Sequence, residues 1–102
     1  MKFIFCTFSV SILDEITNLI DSMGVKNYQV IEHALSTSGD TAPRLDTPVW
    51  PGHDSIITIQ LIDDQKAKQI INKLKEYNKE ISPGKDENVT VCSWEMENYF
   101  TD

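Results

Sequence analysis

The chain has 102 residues, 40% of them hydrophobic and 25% charged, which describes one globular domain (1–102) with a core small enough that assembly with further copies would be a natural source of stability. The formal net charge is −7, Arg44 is the only arginine, and the lysines between 66 and 79 are interleaved with Glu76 and Glu80, so nothing concentrates the basic charge that a nucleic-acid partner requires. No apolar run reaches the ~18–20 residues of a membrane span, and two cysteines make no secreted disulfide framework, so no membrane insertion and a cytoplasmic location are expected.

Residues 2–10, "KFIFCTFSV", are β-rich and apolar on both alternating faces, with Ile4, Cys6, Phe8 and Val10 on one and Phe3 and Phe5 on the other. Ser11 to Asp14 has the spacing of a helix-capping pair. Leu13, Ile16, Leu19, Ile20 and Met23 then recur at helical spacing, and Gly24 follows as a C-terminal cap. Residues 27–35, "NYQVIEHAL", predict a second strand, and 55–62, "SIITIQLI", a third. Asp63 or Asp64 caps a second helix with the apolar stripe Ala67, Ile70, Ile71, Leu74 and Tyr77. Residues 82–88 form a turn, and 89–96, "VTVCSWEM", a fourth strand.

The order β-α-β-β-α-β with right-handed crossovers predicts an α+β, ferredoxin-like fold, a four-stranded antiparallel sheet with two helices on one face. The other sheet face takes its share from Phe3, Phe5, Ile57, Ile59, Leu61, Val89 and Val91 or their alternates, and an apolar face left open predicts self-association.

Between strands two and three lies a connection of about 36–54, far longer than the two to five residues a hairpin needs. Its segment "PRLDTPVWPGHDS" holds three of the four prolines and the single arginine. Pro48 and Pro51 bias Thr47 and Trp50 to extended conformations and stiffen the loop. A stiff loop that presents an indole can line a pocket or anchor a partner, although packing alone would also account for Trp50. His33, His53, Asp46 and Asp54 can converge if strands two and three pair, and two imidazoles with carboxylates suit a divalent transition metal. Cys6 and Cys92 fall on neighbouring strands and read as packing residues. No P-loop, G-x-S-x-G or H-E-x-x-H occurs, and the acidic pairs sit at helix starts or in a turn, so no enzyme is expected.

"MKFIF", "ILDEITNLIDSMGVKNYQVIEHALSTSG" and the long loop together resemble the PII-like signalling superfamily across nearly the whole chain. The resemblance implies a homotrimer of ferredoxin-like subunits whose sheets face one another at the centre. It also implies a small effector, an adenine nucleotide or another metabolite, in the clefts between subunits. The 36–54 loop then corresponds to the T-loop that contacts a protein target such as a membrane transporter. Arg44, Asp46, Trp50 and His53 are the loop candidates for ligand or partner binding, and Lys85 is the candidate in the turn before the last strand. That turn, "SPGKDENVTV", departs from nitrogen-type PII proteins, which carry a glycine- and arginine-bearing loop for nucleotide phosphates. The acidic end "ENYFTD" lacks their C-terminal arginines, and the loop carries no tyrosine for uridylylation. The alternative is a CutA-like trimer that binds a divalent metal through His33, His53 and Asp54. A third class, a small ferredoxin-like monooxygenase or isomerase, would need a His or Asp inside an apolar cavity.

Overall fold

The computed structural model describes residues 1–39, 41–82, 84 and 87–102. Strand β1 (Lys2–Ser9) leads through a 3-10 turn at Val10–Ile12 into helix α1 (Leu13–Ser22). Strands β2 (Tyr28–Ala34) and β3 (Asp54–Leu61) follow, then helix α2 (Asp64–Glu76), which continues as a π-helical turn at Tyr77–Ile81, and finally β4 (Thr90–Glu95). The sheet order is β2-β3-β1-β4 with every neighbouring pair antiparallel. Two βα crossovers therefore interleave, as the ferredoxin-like reading requires.

The periodicity of two in β1 decides which side of the sheet is the core. Ile4, Cys6 and Phe8 are buried, and the register pairs Ile4 with Ile59 and Cys6 with Ile57. Ile16 and Ile20 of α1 and Ala67, Ile70 and Leu74 of α2 close over them in one cluster. Ile57 and Ile59 thus lie under the helices, and the open face of β3 is made by their alternates Ile56, Thr58 and Gln60. That half of the face is mixed: Ile56 pairs with the exposed Ile31, while Thr58 Oγ1 and Gln60 Nε2 both donate to Gln29 Oε1 at 2.7 Å. The apolar half is on β1 and β4, where Phe3 and Trp94 pair with ring centroids 4.9 Å apart.

Two local details depart from expectation, and the cap of α2 falls on one of the two residues expected. Ser9, two residues before Ser11, is the cap, and it caps the 3-10 turn: its hydroxyl accepts from the Ser11 N–H, and the chain enters α1 through that turn. Asp63 caps α2 by accepting from the N–H groups of Gln65 and Lys66. Cys6 and Cys92 lie on opposite sides of the sheet, since the register sets Cys92 opposite Phe5 and not Cys6.

Burial pushes the Cys6 thiol up to about 12, with a smaller contribution from Cys92. An unfolded thiol ionises near its ordinary value of 9.0, so this group's contribution to stability is complete below pH 9 and is lost as pH rises towards 12. A thiol reagent at pH 8 is expected to modify Cys6 only after denaturation. Equal labelling of Cys6 with and without denaturant, read by peptide mass spectrometry, would show the site to be open.

Candidate functional site

The ends of β1 and β2 and the starts of β3 and β4 meet at one edge of the sheet, because Ser9 pairs with Asp54, Ala34 with Asp54 and Thr7 with Thr90. The long loop leaves and re-enters the sheet at this edge. An antiparallel bridge between Ser36 and Arg44 closes its first half, with Ser36 N–H donating to the Arg44 carbonyl at 2.9 Å and the reverse bond at 2.8 Å.

The second half is tied into a tight turn. The N–H groups of Leu45 and Thr47 donate to the Trp50 carbonyl, and the Trp50 N–H donates to Thr47 Oγ1. The Asp46 N–H donates to the Gly52 carbonyl at 2.9 Å. Gly52 sits at φ +85, where a side chain would be strained. The second half of the loop is thus a folded, hydrogen-bonded turn rather than an extended arm.

Arg44 spans the two halves. Its guanidinium donates to Asp54 Oδ1 at 2.8 Å, and both side chains are largely buried, 17% and 5% exposed. Thr7 Oγ1 lies 3.5 Å from the other Asp54 oxygen. Beside this pair opens a cleft of about 420 Å³ lined by Ser36, Thr37, Ser38, Arg44, Asn88 and Thr90 among others. Asn78, in the π-helical turn after α2, forms one wall through a pair of hydrogen bonds to Val89: its amide donates to the Val89 carbonyl and its oxygen accepts the Val89 N–H. A second hollow of about 290 Å³ lies against Trp50, Pro51, Val49 and Pro43, with Glu87 at its rim. Trp50 is 42% exposed there.

On the β2 side of the loop, Asp46 receives two histidines. Its Oδ2 lies 2.5 Å from His33 Nε2 and its Oδ1 3.2 Å from His53 Nδ1. The two imidazoles stack with centroids 3.9 Å apart and planes 8° from parallel. Loss of solvent raises the Asp46 carboxyl, but the hydrogen bonds and charges of His53 and His33 together hold it below its ordinary value.

The structure therefore brings His33, His53 and Asp46 together, while Asp54, the other carboxylate expected to converge with those histidines, turns to Arg44 instead. β2 carries one extra residue between Ile31 and Ala34, so Glu32 and His33 together face Ser55 alone and the alternation of faces is broken at His33. Arg44 and Trp50 line clefts, and Lys85 lies outside the described residues. The cleft's hydroxyl and amide residues, Ser36, Thr37, Ser38, Asn78 and Asn88, escaped the sequence reading. They carry no charge or motif, and only the meeting of β2, β4 and the end of α2 makes them neighbours.

No protein-family model matches the sequence, and neither does any curated protein. Solved structures do match. CPII of Thiomonas intermedia, described as bound to ADP and bicarbonate, superposes with a TM-score of 0.69 at 14% identity, covering 91% of this chain and 82% of that one. CPII bound to ADP, AMP and acetate gives a TM-score of 0.65 at 15% identity over 90% and 81%. A protein of Thermus thermophilus described as PII-like and signalling gives 0.63 at 16% identity over 91% and 83%. The chain has the fold of the PII-like signalling proteins.

Proposed function

We propose that this chain is a PII-like regulatory protein that acts by binding rather than by catalysis. It assembles as a homotrimer in the cytoplasm, takes an adenine nucleotide or a similar small effector at its subunit clefts, and reports occupancy to a protein target through the 36–54 loop. The observation that carries this reading is the polar cleft of about 420 Å³, walled by both stems of the long loop and by the start of β4. A ligand seated there touches the Ser36–Arg44 bridge directly, so it favours one loop arrangement over others, and a partner that reads the loop senses the shift. CPII, with the same fold, is described as bound to ADP with bicarbonate, which makes ADP the first effector to try. The apolar half of the open sheet face, with Phe3, Phe5 and Trp94, is the surface that further copies would cover. Among the described residues no helix is long and apolar enough to cross a membrane.

The cleft offers hydroxyls and the Asn88 amide to a phosphate, and its arginine is already engaged with Asp54. Calorimetry with ADP and AMP, each with and without bicarbonate, is expected to give saturable binding. Asn88→Asp sets a like charge against the phosphates and is expected to weaken that binding at least ~10-fold without unfolding the chain. Unchanged affinity in a folded Asn88→Asp variant would remove the nucleotide from this cleft.

A further inference from the structure

We infer that His33, Asp46 and His53 form a binding site for a borderline divalent cation, Zn²⁺ or a similar ion, that locks the long loop to the sheet. The site is separate from the nucleotide cleft and does not depend on it. One ligand atom from each of the three residues lies within 4.8 Å of the others. Two imidazole nitrogens and one carboxylate oxygen are the donors that zinc takes where three protein ligands leave a fourth position open.

The ligands come from three different segments. His33 is on β2, Asp46 is in the folded turn, and His53 directly precedes β3. Asp46 meets the histidines from a backbone at φ 56, a left-handed conformation that costs energy in a residue with a side chain. The turn holds it there through the Asp46 N–H bond to the Gly52 carbonyl. That conformation is spent on aiming a carboxylate at two stacked imidazoles, one oxygen to each ring.

Without metal, each ring nitrogen that faces Asp46 bears a proton in the hydrogen-bonded arrangement. Metal uptake takes those protons off the facing nitrogens: a neutral ring shifts its proton to its other nitrogen and an imidazolium ring gives one up to solvent, and the freed lone pairs become ligands. Nearly parallel rings direct their lone pairs side by side, so one ring must turn. His33 is 59% exposed on its side chain and has the room to do so, while His53, 24% exposed, stays fixed by the loop. The cation would thereby cross-link β2, the turn and the entry to β3. The fourth position faces solvent, which suits exchangeable binding rather than a permanent structural ion.

The test uses the full chain, free of any tag and stripped with a chelator, titrated with ZnCl₂ in the absence of nucleotide. One ion per chain is expected at micromolar metal. Co²⁺ is expected to show the intense visible bands of a four-coordinate site, which the octahedral aquo ion lacks. His33→Ala, at an exposed position that the fold does not need, is expected to weaken Zn²⁺ at least ~10-fold. Asp46→Asn is expected to do the same while keeping the shape of the side chain. Uptake that survives in the His33→Ala/His53→Ala double variant, or a Co²⁺ spectrum identical to that of the free ion, overturns the site. Loss of ADP binding with Zn²⁺ uptake intact would count against the nucleotide reading alone.

Discussion

Arg44→Ala is expected to cost about 3 kcal/mol of folding stability, which lowers the thermal midpoint by roughly 12–24 °C in a domain of this size. The pair it breaks is short and shielded, with the Arg44 guanidinium 2.8 Å from a carboxylate that is only 5% exposed. Removing the cation leaves Asp54 charged without compensation at the start of β3, and that uncompensated charge, more than the lost attraction, is the cost. The lower end of the range for such truncations applies because Arg44 keeps 17% exposure. Arg44→Met/Asp54→Leu removes both charges and is expected to recover most of the loss, as replacing a whole buried pair commonly does. Urea denaturation of the two variants makes the comparison. A loss below about 1 kcal/mol for Arg44→Ala, the range of an exposed pair, would mean that water reaches Asp54. The Ser36–Arg44 bridge is made by the main chain and does not depend on the guanidinium. The single variant therefore separates the ion pair's share of loop anchoring from that of the bridge.

The pattern of apolar residues fixed the architecture because its two periods, two in the strands and near four in the helices, carry the burial directly. Ile4, Cys6 and Phe8 against Phe3 and Phe5 already divide β1 between core and open face. What the pattern leaves free is the register of the neighbour: a shift by one residue exchanges Ile57 and Ile59 with Ile56 and Thr58. Both sets look acceptable in sequence, and only pairing with β1 places the isoleucines beneath the helices. The candidate site was legible to a similar depth. Its histidines, one on β2 and one directly before β3, become neighbours once those strands pair, but which carboxylate joins them turns on a bulge in β2 and on a left-handed Asp46. Neither has a one-residue signature. The turn at 45–52 shows the same limit, since prolines announce stiffness without telling whether the stiff segment projects or folds back.

Phe5→Asp is expected to break the proposed trimer into single chains without unfolding them. Phe5 lies on the open side of β1, opposite Thr58 on β3 and Cys92 on β4, and no residue of the helix-covered core depends on it for packing. It sits within the apolar half of that face, next in alternation to Phe3, whose ring meets Trp94. If three copies turn these faces inward, each buries a carboxylate that has no partner. At about 3 kcal/mol per copy the association weakens roughly a hundredfold for each chain. The three like charges also repel one another across a space that excludes water. Light scattering is expected to report three chains in the parent and one in the variant, with the same far-ultraviolet circular dichroism in both. Phe5→Leu keeps the apolar surface and is expected to remain assembled. An assembled Phe5→Asp variant would show that the copies meet elsewhere. A subunit cleft for nucleotide would then have to be built from another surface, so the mass of this variant bears on the effector site as directly as on the assembly.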